Sequence, residues 1–137
     1  MFRVEHLYKH VQESVKVEWN LGKRCNYDCS YCPAEIHDNF SKHTDIKILK
    51  NAVDDLIGSM PDLRTKVRIS FTGGEPCVHP KFLELLEYAR PKVSWLNVTT
   101  NGTRTPKYYT HLLNLSLIHI SEPTRRRGIS YAVFCLK

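Results

Sequence analysis

The stretch Cys25-Asn26-Tyr27-Asp28-Cys29-Ser30-Tyr31-Cys32 places three thiols at the spacing C-x3-C-x2-C. Before it stands an alternation of apolar and polar residues, Val15-Lys16-Val17-Glu18-Trp19-Asn20-Leu21, which predicts a β-strand. Thiolates are the usual protein ligands of a 4Fe–4S cluster, which normally takes four of them. A strand followed by three closely spaced thiolates therefore predicts an iron–sulfur site in which one iron keeps a position open for another ligand.

The cysteine stretch is expected to be a loop. The three cysteines are also spaced i, i+4 and i+7, which on a helix would form a small apolar stripe. The Asn, Asp and Ser residues between them, and Pro33 directly after, favour turns instead.

A zinc site is the main alternative, with His37 or Cys77 completing the three thiols. Zinc favours closed four-ligand sites, often built from two well-separated ligand pairs. The chain has no second C-x2-C pair, so the iron–sulfur interpretation is favoured. We expect Cys77 to be a small buried residue, because free cysteine commonly packs as a hydrophobe.

Length and composition narrow the class of protein. A chain of 137 residues with 42% hydrophobic residues favours one globular domain. No run of eighteen apolar residues is present, so we expect no membrane span, and the N-terminus lacks the apolar core of a signal peptide. Three of the five cysteines lie within eight residues. This favours a metal or redox site over disulfides, and hence a reducing, cytoplasmic location.

Periodicity predicts alternating strands and helices beyond the cysteine loop. Thr44 is expected to cap a helix over 45–57, and the pattern then gives a strand at 67–71, a helix at 81–89, a strand at 94–100 and a helix from Thr105-Pro106. Such alternation predicts an α/β fold with a parallel sheet and right-handed crossovers. The loops that follow parallel strands meet at the carboxyl edge of the sheet, where the sites of such folds lie.

Two of these loops carry motifs of their own. Thr72-Gly73-Gly74-Glu75-Pro76 ends the second strand, and Thr99-Thr100-Asn101-Gly102-Thr103 ends the third. Paired glycines let a backbone come close to another group and take positive φ, although each motif alone would be read as an ordinary turn.

Taken together, the three motifs resemble the radical S-adenosylmethionine (SAM) enzymes, including Tyr31 just before the last cysteine of the loop. The resemblance implies that Cys25, Cys29 and Cys32 hold a 4Fe–4S cluster, whose open iron chelates the methionine moiety of SAM. It further implies reductive cleavage of SAM to methionine and a 5′-deoxyadenosyl radical, which takes hydrogen from a substrate. The cofactors supply this chemistry, and the protein supplies binding and orientation.

The resemblance also implies roles for single residues. Gly73, Gly74 and Glu75 are expected to meet the methionine end of SAM, with the Glu75 carboxylate either near its ammonium group or bracing the turn. Tyr31 either lines the adenine side of the SAM pocket or is a core aromatic residue. Asn101 is expected to lie close to the same pocket.

The fold implied by the resemblance is the N-terminal half of a partial (β/α)6 TIM-like barrel with parallel strands, truncated after the third βα unit. We expect residues 17–114 to form this truncated core and residues 1–16 to be an N-terminal extension with a short helix. Because later strands are lacking, the fragment itself is expected to be inactive. The expected partners are an electron donor of the reduced flavodoxin or ferredoxin type and a peptide or small-molecule substrate.

The segment 115–137 differs in character from the rest. Residues 115–125 and 129–137 resemble the in-frame translation of a transposase-type sequencing adapter, with Arg126-Arg127-Gly128 where a sample index would fall. We expect this tail to be non-native; the alternative is a genuine strand, loop and basic patch. The tail carries half of the net charge of +6, so a nucleic-acid partner is not expected.

Overall fold

The structure, a computed structural model, describes residues 14–60, 66–120 and 134–136. The helix predicted near the N-terminus and the basic residues 125–127 lie outside the described residues. Among the described helices, none is long and apolar enough to cross a membrane.

Strands and helices alternate along the chain. The strands are β1 (Ser14–Asn20), β2 (Lys66–Thr72), β3 (Trp95–Thr100), β4 (Leu117–Ile120) and β5 (Phe134–Leu136). The helices are α1 (Ile46–Gly58), α2 (Phe82–Ala89) and α3 (Pro106–Leu115), with short 3-10 turns at Pro76–Val78 and Arg90–Lys92. The elements predicted between residues 15 and 106 are found with their bounds shifted by at most one residue.

The sheet has the order β1-β2-β3-β4-β5. The first three strands pair in parallel, with Val17 opposite Ile69 and Phe71 opposite Val98, which confirms the predicted α/β fold. β4 pairs in parallel with β3, and β5 pairs antiparallel with β4. Both strands fall within residues 115–137, for which the adapter origin stays a prediction.

The two faces of the sheet differ sharply. One face packs against the helices and forms the core, in which Ile69, Phe71 and Val98 are almost completely buried. Burying a side chain of this size contributes about 2–3 kcal/mol to stability. The opposite face carries polar residues at the alternating positions, among them Glu18 and Ser70. The first three strands therefore present an apolar side to the helices and a mainly polar side, which also carries the exposed Trp95, away from them.

The first residue of α1 differs from the prediction. The cap is Asp45 and not Thr44, because Asp45 has an extended backbone and its carboxylate accepts a hydrogen bond from the Lys47 amide at 2.8 Å. The carbonyl of Thr44 is instead 2.8 Å from Nε2 of His79, in the turn before α2. Thr44 thus links two segments rather than starting the helix.

Candidate functional site

The cysteine loop, residues 25–38, is closed at its base by backbone hydrogen bonds. The amide of Cys25 donates to the carbonyl of Asp38 at 2.7 Å, and the amide of Asp38 donates to the carbonyl of Lys23 at 2.9 Å. The Ser41 hydroxyl, helped by the amides of Ser41 and Phe40, holds the pKa of the Asp38 carboxyl below its usual range. No helix is found between residues 21 and 45, which confirms the predicted loop.

The three thiols of this loop are neighbours. Cys25 is buried, whereas Cys29 and Cys32 are half-buried. Burial raises the pKa of the Cys25 thiol, and the charges of Glu75 and Cys29 raise it further. Burial and the other two sulfurs likewise raise the pKa of Cys32. A cationic group that binds cysteine thiolates also drives their deprotonation, so such a group would offset the raised pKa values of Cys25 and Cys32.

Two kinds of metal centre place different demands on the three thiols. Within the described ranges, 14–60, 66–120 and 134–136, no three His, Cys, Asp or Glu side chains converge as a single metal ion requires. A 4Fe–4S cluster makes a different demand, because each cysteine binds a different iron and the sulfurs surround a larger body. Three neighbouring thiols on one loop, with no fourth, fit the donor set of such a cluster with one open iron.

His37 is occupied within the loop. Its Nδ1 lies 3.0 Å from the Pro33 carbonyl oxygen, and its Nε2 lies 3.1 Å from Oδ1 of Asp28. The Asp28 hydrogen bond, followed by the Pro33 carbonyl, raises the pKa of His37. Ligation of zinc by His37 would break one of these contacts, so the ring serves as a brace across the loop.

Cys77 is also unavailable as a fourth ligand. It is completely buried in the hydrophobic core, as predicted for a small packed residue. Burial, together with the nearby Glu75 carboxylate, raises the pKa of the Cys77 thiol to about 12.

The contacts that His37 makes across the loop predict its pKa in the metal-free protein. We expect a pKa above the ordinary value of about 6.5. Because the folded-state pKa is raised, the brace stabilises the loop fully below the unfolded-state pKa and is lost as the pH rises through the folded-state value.

An NMR titration of the imidazole protons measures the pKa of His37, and Asp28→Asn should return this pKa toward its ordinary value. With Glu87→Gln, a change remote from the loop, His37 should titrate as in the unchanged protein. An identical pKa in Asp28→Asn would show that the brace is absent.

The loop after β2 packs directly on the base of the cysteine loop. The Gly74 amide donates to the Gly22 carbonyl at 2.8 Å, and the Glu75 amide donates to the Arg24 carbonyl at 2.9 Å. Gly73 has φ +133°, and a Cβ on it would lie 2.7 Å from the Gly22 oxygen; one on Gly74 would overlap the Arg24 carbonyl. Both positions therefore require glycine, because the neighbouring backbone leaves no space for a Cβ atom. Their contact with SAM stays a prediction.

Glu75 joins the loops after β2 and β3. It is only 3% exposed, and its Oε1 accepts from the Cys77 amide at 3.0 Å and the Thr100 hydroxyl at 2.7 Å. Its Oε2 accepts from the Asn101 amide at 2.5 Å. Three donors satisfy the hydrogen-bonding capacity of this buried carboxylate. Glu75 therefore braces the turn, which is one of the two roles predicted for it. Its contact with the SAM ammonium group stays a prediction.

The loop after β3 returns to the cysteine loop. Nδ2 of Asn101 donates to Oδ1 of Asn26 at 2.9 Å, and Nδ2 of Asn26 donates to the Thr103 hydroxyl at 2.8 Å. The three loops thus form a closed ring of hydrogen bonds at the carboxyl edge of the sheet. Asn26 and Thr103 were missed by sequence reasoning, because asparagine and threonine in loops are read first as turn residues.

The sequence that carries these loops matches a known protein family. Residues 19–121 match the family model described as the Radical SAM superfamily. The chain belongs to the radical SAM superfamily. The predicted family membership is therefore confirmed.

Curated radical SAM relatives cover similar parts of the chain. Fe-coproporphyrin III synthase of Methanosarcina barkeri is 35% identical over 88 residues, which is 64% of this chain and 21% of that protein. The S-adenosylmethionine-dependent nucleotide dehydratase of Selenomonas ruminantium is 34% identical over 91 residues, 64% of this chain and 30% of the relative. GTP 3',8-cyclase of Petrotoga mobilis is 33% identical over 107 residues, 74% of this chain and 32% of the relative. The matched region spans less than a third of each relative's length.

Tyr31 sits on the outer part of the radical SAM cysteine loop. It is 56% exposed, so the prediction of a core aromatic residue is wrong: the loop carries the ring away from the core. Partial burial, with a hydrogen bond to Cys29 and the charges of the neighbouring thiols, raises the pKa of Tyr31 to about 12. Its place on the adenine side of a SAM pocket stays a prediction.

Proposed function

We propose that this chain is part of a radical SAM enzyme. Cys25, Cys29 and Cys32 would hold a 4Fe–4S cluster and would leave one iron without a cysteine ligand, available to SAM. When bound, these cofactors supply reductive cleavage of SAM to methionine and a 5′-deoxyadenosyl radical, which abstracts hydrogen from a substrate.

The observation that carries this proposal is the closed ring of hydrogen bonds among the three motif loops. It holds Cys25, the first of the three thiols, beside the Gly73-Gly74-Glu75 segment and beside Asn101. Each loop is positioned by the end of a different strand, so a ligand lying at this edge would meet all three. Membership of the radical SAM superfamily supports the same chemistry.

The proposed roles of the residues follow from their positions. Cys25, Cys29 and Cys32 bind and orient the cluster. The Gly73-Gly74-Glu75 segment contacts the methionine end of SAM, chiefly through its backbone, because the Glu75 carboxylate already accepts three hydrogen bonds. Tyr31 is exposed and free to pack on the adenine ring, and Asn101 borders the pocket from the third loop.

We also propose that residues 17–114 are the first half of a partial (β/α)6 barrel, truncated after the third βα unit. The apolar face of the sheet packs on the helices, so the opposite face would line the interior of the proposed barrel. The remaining strands would complete the SAM and substrate contacts, so the fragment alone is expected to lack turnover. Residues 115–137 are proposed to be a non-native tail.

The substrate and the electron donor are proposed only by class. The relatives are named for a coproporphyrin synthase, a nucleotide dehydratase and a GTP cyclase, so they agree on no single substrate. The substrate is a peptide or a small molecule. The electron donor is of the reduced flavodoxin or ferredoxin type, and a reducing, cytoplasmic compartment suits both the donor and the free thiols.

Anaerobic reconstitution with ferrous iron and sulfide tests the proposal. We expect a brown protein with about four irons per chain and an absorption band at about 400 nm. Adding SAM should change the electron paramagnetic resonance (EPR) spectrum of the dithionite-reduced protein, because SAM binds the open iron. A colourless protein that takes up one zinc ion instead would support the alternative, a non-catalytic metal-binding module.

A further inference from the structure

Cys25 differs from the other two thiols of the cysteine loop. It is the most enclosed of the three, and its sulfur faces two N–H donors. The backbone amide of Tyr27 lies 3.4 Å from Sγ, and Nδ2 of Asn101 lies 4.0 Å from the same atom. The first donor belongs to the cysteine loop itself, whereas the second comes from the loop after β3.

The orientation of the Asn101 carboxamide is fixed by its partners. Oδ1 accepts from the amide of Thr103 at 3.3 Å and from the Thr103 hydroxyl at 2.8 Å. A backbone amide can only donate, so the oxygen of the carboxamide lies on the Thr103 side and the NH2 group on the other. One of its two hydrogens serves Oδ1 of Asn26, which leaves the second for the sulfur of Cys25.

The backbone of Asn101 is held as firmly as its side chain. Its amide donates to the buried Glu75 carboxylate, which is anchored in turn by the Thr100 hydroxyl and the Cys77 amide. The donor to Cys25 is thus preorganised by the third strand and by the loop after the second. Such outer contacts orient a ligand and tune the centre that it binds.

We propose that Asn101 is a positioning residue that donates a hydrogen bond to the Cys25 thiolate and thereby raises the reduction potential of the cluster. This inference rests on the proposed 4Fe–4S cluster. A hydrogen bond to a cluster sulfur favours the more negative, reduced state. Ionisation of Cys25 turns the long thiol contact into a charge-assisted one, which is shorter and stronger.

The test is an EPR-monitored redox titration of the reconstituted 137-residue chain. Asn101→Ala removes the donor, and Asn101→Asp replaces it with an acceptor of the same shape. In both variants we expect the one-electron reduction equilibrium to shift about tenfold toward the oxidised cluster, which corresponds to about 59 mV. Asn51→Asp, an equal change of charge on the exposed side of α1, should leave the potential unchanged.

The outcomes separate this inference from the proposed function. If the unchanged chain holds a cluster and the Asn101 variants keep its potential, the inference is wrong and the proposed function stands. If the unchanged chain forms no 4Fe–4S cluster, the proposed function fails and the inference fails with it. If the reduction potential shifts equally in Asn51→Asp and Asn101→Asp, the effect comes from the added charge alone. The proposed hydrogen bond from Asn101 to Cys25 would then be wrong.

A second measurement does not depend on the stability of the Asn101 variants. Asn26→Ser removes the other nearby carboxamide, and the chain is labelled with 15N at Nδ2 of its asparagines. Pulsed EPR of the reduced cluster should then detect a weakly coupled 15N nucleus, because Asn101 still faces the Cys25 sulfur. Absence of this coupling would overturn the proposal.

Discussion

Gly74→Ala is expected to destabilise the fold by about 3 kcal/mol, because the added methyl group has no space to enter. A Cβ at this position overlaps the carbonyl oxygens of Lys23 and Arg24, which are backbone atoms and cannot turn aside as a side chain would. The hydrogen bond from the Gly74 amide to the Gly22 carbonyl would be strained as well. Urea unfolding of the metal-free chain measures the loss as a lower midpoint.

Gly58→Ala is the matched control for this change. Gly58 is the last residue of α1, and a Cβ there would meet nothing within 4 Å. Alanine is favoured over glycine in a helix by about 0.5–1 kcal/mol, so this variant should be unchanged or slightly more stable. Equal midpoints for the two variants would mean that the loops after β1 and β2 are not in the close contact described.

Most of the fold could be predicted from residue patterns, because the elements are short and strongly periodic. β2 alternates between apolar and polar residues, and α2 buries one face through Phe82, Leu85 and Leu86, as their spacing predicts. The error at the start of α1 has a local cause. Thr44 and Asp45 are both good cap residues, and the hydrogen bond from the Lys47 amide to the Asp45 carboxylate distinguishes them.

The site was predictable in its motifs but not in its internal contacts. Residue type and spacing pointed to the three thiols, whereas the paired glycines and Asn101 were assigned from the resemblance to the radical SAM enzymes. They did not indicate that the glycines face the backbone at Gly22 and Arg24, since contacts between distant loops leave no local pattern. The buried Glu75 carboxylate shows the same limit, because its three donors come from the turn after β2, the end of β3 and the loop after β3.

Cys29→Ser should abolish assembly of the cluster. Loss of contacts around a metal ligand typically costs 10- to 100-fold in affinity, and loss of the ligand itself should cost at least as much. Iron bound after anaerobic reconstitution is therefore expected to fall by about tenfold or more, together with the absorption at about 400 nm. Cys29 is half-buried and lies outside the core, so urea unfolding of the metal-free variant should match that of the unchanged chain.

Cys77→Ser is the matched control, since it makes the same chemical change at a thiol outside the proposed donor set. Cys77 is completely buried in the core, and its thiol pKa is raised to about 12, so it is poorly suited to act as a thiolate ligand. We expect this variant to bind iron like the unchanged chain and to lose about 1–3 kcal/mol of stability, because a hydroxyl replaces a thiol in an apolar site. The reverse pattern, with iron lost in Cys77→Ser and kept in Cys29→Ser, would require a different donor set. A closed four-ligand site that includes Cys77 would then describe the protein better than a cluster with an open iron.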